Sequence, residues 1–499
     1  MNLEREAKLQ VPDTLVLPAL DDVAPGIVAT ERAPVETATT YVDTKDLRLA
    51  RWGWSLRHRE GEEQGDGHGD GHGSSWTLKV PESSSGEVLV RSEHRFEGAA
   101  DVVPAEALDL ATAVTRSEPV EPVAMLRTTR RVVALSSEGS VIAEVMDDRV
   151  RVDRSPAGPS TFREVEVEML EDRPDVLDAV MRRLDAAGAP KGPAPSKYDR
   201  ALGGRPEPEL PDEALDAATV RDVVRTSLSS SVARLVVNDP GVRLGEDPEA
   251  VHQARVAVRR LRSDLRTFRP WLSEAWADEL RESLRWLGQA LGGVRDSDVL
   301  IDRLRRRVAS LPAADRDAGA EIVAKLVSLR EERRSELLAA MRDQPYVALL
   351  DRLVSAAREP VVGEDRASPA PDVAAVMQPV WRRLAQTASS LGRQPSDAEL
   401  HAVRIRTKRA RYAAEALAPV AGKAARRFAD RAAELQDVLG EHQDAVVAED
   451  WLRRSIGRGR RASFVAGELV AAERAAAEAA AAAWPAAWDT LDRKRIRFW

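Results

Sequence analysis

The segment Leu3-Glu4-Arg5-Glu6-Ala7-Lys8-Leu9 decides how this chain is read. On a β-strand, residues i, i+2 and i+4 share a face. Glu4, Glu6 and Lys8 then point one way, and Leu3, Arg5, Ala7 and Leu9 the other. Two carboxylates two residues apart on a strand lie about 7 Å from each other. At an effective dielectric of about 20 they repel by about 2 to 3 kcal/mol. On a wet surface water absorbs that repulsion, whereas an enclosed site calls for a cation. Seven residues do not choose between the two.

The surrounding chain supplies more of the pattern. Up to about residue 202 the hydrophobic period is two, with candidate strands at 3–11, 38–43, 53–60, 75–80, 88–96, 126–135, 140–147 and 162–170. Helical stretches fit at 13–22, 102–114 and 174–187. Hairpin-like spacing of this kind predicts an antiparallel sheet or barrel. Gly61–Ser75 (GEEQGDGHGDGHGSS) reads as a flexible hairpin loop, and its His68 and His72 are read as loop-tip residues rather than metal ligands.

The strand charges are in phase. Arg57 and Arg59 share a face opposite Trp54 and Leu56, and Thr77 and Lys79 oppose Trp76 and Leu78. Glu164, Glu166 and Glu168 oppose Arg163, Val165, Val167 and Met169. Two arrangements fit. Either the apolar faces form the core and the charges meet water, or the charges line an aqueous tunnel and the apolar faces pack outward against helices. In the second, acids on the first and last strands would hold a divalent cation by oxygen ligation, as Mg²⁺ or Mn²⁺ prefers. Arg and Lys on the strands between would grip phosphate oxygens.

Glu4-x-Glu6-x-Lys8 resembles the ExExK signature of the CYTH domain, the triphosphate tunnel metalloenzymes. Further elements follow in that family's order: Tyr41-Val-Asp-Thr44, Leu49, Leu56-Arg57-x-Arg59, Thr77-x-Lys79, Arg91-x-Glu93, Arg130-Arg131, Asp147, Glu164-x-Glu166-x-Glu168 and Ser196-Lys197-Tyr198. The resemblance spans residues 1–202 and implies an eight-stranded antiparallel β tunnel that hydrolyses a triphosphate with Mg²⁺ or Mn²⁺. It implies catalytic roles for Glu4, Glu6, Lys8, Arg57, Arg59 and Lys79, and triphosphate contacts from Lys8, Arg57, Arg59, Lys79, Arg91, Arg131 and Lys197. The implied metal ligands are Glu4, Glu6, Asp147, Glu164, Glu166 and Glu168. Of Arg127, Arg130 and Arg131, spacing favours Arg131 for the lumen. Inorganic tripolyphosphate is the preferred substrate; thiamine triphosphatase and class IV-type adenylate cyclase are the enzymatic alternatives, and a non-catalytic granule-associated binding protein is the other.

Gly203–Asp212 (GGRPEPELPD) reads as a linker, and beyond it the hydrophobic period becomes 3.6. Two helical repeats, about 213–358 and 373–499, flank a second break at Glu359–Asp372. Each repeat carries the same motif: His252-x2-Arg255-x3-Arg259-Arg260-x-Arg262, then His401-x2-Arg404-x3-Lys408-Arg409-x-Arg411. Downstream come Leu291-Gly292-x3-Asp296 and Leu439-Gly440-x3-Asp444, read as Leu-Gly turns, with His-to-Asp spacings of 44 and 43 residues. Offsets 0, +3, +7 and +10 share one helical face, so each repeat carries a positive stripe, which Arg266 extends in the first and Glu415 ends in the second. Like charges at i,i+4 cost a few tenths of a kcal/mol per pair, and an undiluted stripe made twice points to anion binding. The stripes are nearly bare of aromatics to stack bases, which disfavours nucleic acid.

This duplication resembles the CHAD domain, two pseudo-symmetric four-helix bundles that bind inorganic polyphosphate. Over about 213–499 it implies polyphosphate contacts from His252, Arg255, Arg259, Arg260, Arg262, Arg266, His401, Arg404, Lys408, Arg409 and Arg411. His252 and His401 are phosphate ligands or buried supports, and Asp296 and Asp444 orient arginines or helix ends.

Composition agrees with two jobs. The chain has 499 residues, 31% charged and 43% hydrophobic, a net charge of −8 and no cysteine, which excludes disulfides and thiolate chemistry. From residue 211 onward there are 48 Lys and Arg against 43 Asp and Glu, and before it 26 against 39, so the two parts differ in sign. No apolar run approaches the roughly 18 residues of a membrane span. The expected location is cytoplasmic, with polyphosphate granules implied by the second resemblance.

Overall fold

The computed structural model describes residues 5–61, 74–85, 88–190, 194–210, 219–363, 371–455 and 459–499, with backbone only at 5–6, 82–85 and 88–91. The chain forms two units, Met1–Glu209 and Leu210–Trp499. No helix among the described residues is long and apolar enough to cross a membrane.

The first unit is one antiparallel sheet. Its strands are β1 (Arg5–Val11), β2 (Ile27–Glu31), β3 (Val35–Thr44), β4 (Ser55–Gly61), β5 (Ser75–Ser85), β6 (Val88–Glu97), β7 (Val120–Ser137), β8 (Ser140–Arg154) and β9 (Ser160–Met169). Their order is β1-β9-β8-β7-β3-β4-β5-β6, with β2 added on β7. Pairing among the described residues leaves β1 and β6 at the two ends, so the tunnel is not closed by a continuous hydrogen-bonded ring. Helices α1 (Arg48–Arg51), α2 (Ala105–Thr115), α3 (Pro174–Ala186) and α4 (Lys197–Ala201) flank the sheet. β2 went unread in the sequence because it is short and follows the Asp21–Gly26 turn. The helix expected at 13–22 is absent: Pro12 and Pro18 interrupt it, and the segment runs irregularly across the sheet.

The apolar phase of the strands is packed. Leu9, Val11, Ala143, Val145, Val165 and Val167 form one cluster with Leu15, Leu20 and the α3 residues Val176, Val180 and Leu184. Trp54, Leu56, Trp76 and Leu78 are also fully buried. Arg163, in the same phase, donates to Asp147 at 2.7 and 2.8 Å and to the carbonyls of Asp13 and Leu15 at 3.1 and 2.5 Å, which ties the irregular segment down.

Asp43 organises the opposite side. Its carboxylate accepts from the backbone N–H groups of Thr44, Leu49 and Ala50 at 2.7, 2.8 and 2.9 Å and from the Tyr198 hydroxyl at 2.8 Å. The Tyr198 ring stacks on Tyr41 at 4.6 Å. Ser196 caps α4 by accepting from Asp199 N–H at 3.0 Å. The Ser196-Lys197-Tyr198 motif is thus fixed to the Tyr41–Thr44 motif, and the fixture aims Lys197.

The second unit contains α5 (Val220–Leu244), α6 (Pro248–Thr267), α7 (Glu274–Ala309), α8 (Arg316–Arg342) and α9 (Gln344–Arg358), then α10 (Val373–Ser389), α11 (Asp397–Ala416), α12 (Ala418–Ser455) and α13 (Arg460–Leu491). α5–α8 correspond in order to α10–α13, and α9 is an addition to the first repeat. The bundles are not separate: Leu300, Leu304, Ile322 and Leu326 share one cluster with Ala448, Leu452, Val465 and Leu469. The Leu-Gly pairs 291–292 and 439–440 lie inside α7 and α12 rather than in turns. The proline-rich stretch is also not a free tether throughout. Glu209 pairs with Arg116 at 2.5 Å and accepts from Trp52 Nε1 at 2.5 Å, so the stretch up to Glu209 belongs to the first unit.

Candidate functional site

Alternation puts the charges of the sheet on one face. Across β1 and β9, Lys8 stands opposite Glu166 and Glu6 opposite Glu168. Across β8 and β9, Asp148 stands opposite Glu164, and across β7 and β8, Arg130 stands opposite Asp148. On β4, Arg57 and Arg59 stand opposite Tyr41 and Thr39 of β3. On β5 and β6, Lys79 stands opposite Glu93.

In a flat sheet β4 and β9, four strand spacings apart, would be separated by about 19 Å. Yet the Glu166 charge is felt at Arg59, as is that of Arg130. The sheet therefore curls so that its charged face looks inward, and the tunnel arrangement is the one adopted.

The acidic half of this face is internally neutralised. Lys197 Nζ lies 2.7 Å from Asp148, 2.6 Å from Glu164 and 3.0 Å from Glu166. Lys8 Nζ reaches Glu166 at 3.1 Å, and Arg130 spans Asp148 and Glu166 at 2.7 and 3.1 Å. Burial works against all these charges, but Lys197, Lys8 and Arg130 hold Glu166 well below the usual carboxylate range. Lys197 and Arg130 lower Asp148 likewise. Glu164 goes the other way, raised because burial outweighs Lys197.

Asp148, Glu164 and Glu166 each offer an oxygen within 4.8 Å of the others, and all three are buried. Both Glu164 oxygens lack a hydrogen bond despite the nearby ammonium. Three hard oxygen donors, one of them under-satisfied, fit a hard divalent cation.

In the basic half, two guanidiniums are left over among the described residues. Arg57 and Arg59 make no ion pair among the described residues, and the Nε of each is buried without a hydrogen-bond partner. The Arg57 charge first, then burial and Arg130, pull Arg59 down to about 9. Two half-buried guanidiniums kept side by side, each with a buried Nε–H lacking an acceptor among the described residues, suit an anionic group. Lys79 is paired with Glu93 beside them. One end of the face is apolar, with Leu126, Val150, Val152 and Phe162 against Tyr41 and Tyr198.

Two sequence assignments are corrected. Asp147 points to the apolar side and pairs with Arg163; its neighbour Asp148 joins the acidic cluster. Arg131 points outward to Glu31, half-exposed, and Arg130 takes the inner position. Arg127 is also outside, paired with Asp153. Glu168 is half-buried at the edge of the cluster and its charge is felt at Arg130. Glu4, His68 and His72 and the side chains of Glu6 and Arg91 lie outside the described residues.

In the helical unit the N-caps Asp247 and Ser396 stand five residues before His252 and His401, so both motifs start at the same helical position. α6 and α11 pack together, and their stripes converge. Burial first, then Arg259, Arg404 and Arg255, push the Lys408 ammonium down to about 7. Arg259 donates to the Tyr412 hydroxyl, a contact across the repeats that the sequence did not reveal. A second group joins Arg262, Arg266 and Arg409 with Arg281 of α7, whose charge is felt at all three.

Arg255 donates to Asp296 at 2.7 Å. A Cβ on Gly292 would touch Arg255 Nε at 3.7 Å, and one on Gly440 would touch Arg404 Nη2 at 3.5 Å. The repeated glycine thus gives an arginine room against the next helix, and the aspartate one turn on faces that arginine: Asp444 supports the charge on Arg404. His252 is half-buried, its pKa lowered by burial and by Arg295, while His401 is exposed. Arg260 and Arg411 do not join the stripes; both pair with Glu415, at 2.5 and 2.9 Å.

The CYTH domain family matches residues 2–202 and the CHAD domain family residues 226–453. The uncharacterised protein Rv2226 of Mycobacterium tuberculosis is 33% identical over 482 residues, covering 90% of this chain and 88% of that protein. Among solved structures, PptA from Streptomyces chartreusis is 23% identical and covers 55% of this chain and 99% of its own, with a TM-score of 0.47. The CHAD domain from the plant Ricinus communis is 28% identical and covers 56% and 94%, also with a TM-score of 0.47.

The uncompensated Arg57–Arg59 pair makes a prediction about stability. Arg57→Gln removes a like-charge contact and should stabilise the ligand-free sheet unit by on the order of 1 kcal/mol. Added tripolyphosphate should raise the melting temperature of the wild type, and most of that rise should be lost in the variant. A variant that melts lower without ligand would contradict the unfilled-anion reading.

Proposed function

The chain belongs to the CYTH and CHAD domain families, and from that premise we propose that its sheet unit hydrolyses inorganic tripolyphosphate to pyrophosphate and phosphate, with Mg²⁺ or Mn²⁺. We propose further that the helical unit binds inorganic polyphosphate and brings the enzyme to it. The observation that carries the first reading is the contrast within one inward face, where the acids are met by Lys197, Lys8 and Arg130 and, among the described residues, Arg57 and Arg59 have no acidic partner.

A triphosphate carries about four to five negative charges near neutral pH, matched to a preformed set of guanidinium and ammonium groups. Arg57 and Arg59 would take its oxygens with the Nε–H groups that now lack acceptors. Lys8 and Arg130, at the border of the two halves, would neutralise charge developing on the bridging oxygen. Asp148, Glu164 and Glu166, with Glu4, Glu6 and Glu168 in reserve, would hold the divalent cation. When bound, that cation supplies charge neutralisation and a water of lowered pKa. Lys197 stands among the same carboxylates, and yielding to the cation would free its ammonium for phosphate.

Phosphate release from tripolyphosphate, ATP and thiamine triphosphate, each with Mg²⁺ or Mn²⁺, tests this reading. Tripolyphosphate should be turned over best, and Arg59→Ala should lower kcat/KM by about 10²-fold. Turnover of none of the three would favour a binding module instead.

The converging stripes support the second reading, because regularly spaced charge without base-stacking surfaces suits a phosphate polymer. Lys408 sharpens it. Its folded pKa of about 7 lies below its ordinary value of 10.5. The cost of its charge is therefore fully present below pH 7 and is relieved as pH rises from there toward 10.5. Polyphosphate should restore the charge, so binding at pH 8 to 9 should take up close to one proton. Affinity should then fall with rising pH by up to about tenfold per unit. Calorimetry in buffers of different ionisation enthalpy reads the proton directly, and Lys408→Arg should abolish the uptake. Unchanged uptake in that variant would contradict the assignment.

A further inference from the structure

A cavity of about 430 Å³ lies between α5, α6 and the junction of α11 with α12. Arg260 lines it, about 140° around the α6 axis from the Arg255 stripe, so the cavity is separate from the basic face. α5 contributes four hydroxyls, from Thr226, Ser227, Ser230 and Ser231. Their spacing of 0, +1, +4 and +5 sets them along one side of the helix. Arg234, a turn further on, and Arg426 of α12 stand at the exposed mouth, and neither makes an ion pair among the described residues.

Inside, the polar groups exceed their partners. Arg260 is ion-paired with Glu415 at 2.5 Å, and that Glu415 oxygen accepts no hydrogen bond among the described residues. Thr226 Oγ1 is buried with no hydrogen-bond partner. Asp264, fully buried and outside the lining itself, accepts from the lining Ser227 at 2.7 Å through one oxygen, while its other oxygen has no partner among the described residues. Buried polar groups left over in this way are uncommon in a finished core.

The chemistry narrows the ligand. Two unpaired guanidiniums at the mouth call for an anionic group. A row of hydroxyls, with the Glu415 carboxylate also in the lining, calls for a ligand with several hydroxyls of its own. No aromatic side chain lines the cavity, so a nucleobase would find nothing to stack on. The volume falls within the usual range for small-molecule sites. We propose that this cavity binds a small phosphorylated polyol about the size of a hexose phosphate, with its phosphate on Arg234 and Arg426 and its hydroxyls on the α5 row. The site stands independently of the triphosphate and polyphosphate readings.

Titration calorimetry on the full chain, with glucose 6-phosphate, glycerol 3-phosphate and inositol 1-phosphate, tests the proposal. At least one should bind saturably at a single site, about tenfold or more tighter than inorganic phosphate or glucose. Arg234→Ala and Arg426→Ala, both at exposed positions that leave the core intact, should each weaken it by about tenfold. Arg255→Ala, on the basic face, should leave it unchanged. Absence of saturable binding by all three probes overturns the proposal. So does inorganic phosphate binding as tightly as the best of them, or a loss that follows Arg255→Ala and not Arg426→Ala.

Discussion

The sheet unit depends on the repulsion between Arg57 and Arg59 being tolerated inside a curled sheet. Period-two alternation leaves no freedom in the matter: with Leu56 and Trp54 buried on one side, both guanidiniums must emerge on the other. Across that interior the acids meet the opposite fate, because Lys197, Lys8 and Arg130 neutralise them. The result is an interior whose acids face ammonium and guanidinium groups, Glu164 least completely, while Arg57 and Arg59 have no counter-charge among the described residues. Folding alone gains nothing from that asymmetry, since burying unpaired charge is costly. An anionic ligand on Arg57 and Arg59, with a divalent cation on the acids, would offset that cost.

The same economy of placement recurs in the helical unit by different means. There a glycine on α7 or α12 makes room for an arginine of the neighbouring motif helix, and an aspartate one turn later faces it. The arrangement is made twice, and packing α6 on α11 sets the two stripes against each other. Burial first, and then the crowding of Arg259, Arg404 and Arg255, depresses the Lys408 pKa. The repeats are not equivalent. Arg255 donates to Asp296, whereas the buried Nε of Arg404 has no acceptor.

Much of this was legible in the chain because charge and apolar phase alternate so cleanly on the strands. The two errors of phase were also legible in principle. Asp147 is in step with Ala143 and Val145, which marks it for the apolar side, and Arg131 is in step with Val133 and Leu135. Reading the charged residues alone, without their own strands' apolar phase, put both on the wrong face. What no spacing could show was which groups meet across strands distant in sequence. The Lys197 contacts with three carboxylates, the Tyr41–Tyr198 stack and the Arg259–Tyr412 contact are all of that kind. The Leu-Gly pairs misled because glycine signals a turn locally, whereas here its use is close approach between helices.

A crystal structure of the full chain grown with tripolyphosphate and Mn²⁺, with Mn²⁺ located by its anomalous scattering, tests the shared interior most directly. The account predicts phosphate oxygens on the Nε–H groups of Arg57 and Arg59, and manganese on Asp148, Glu164 and Glu166 with the Lys197 ammonium displaced toward phosphate. Tripolyphosphate held only outside the sheet, with Arg57 and Arg59 still without an acceptor, would contradict it.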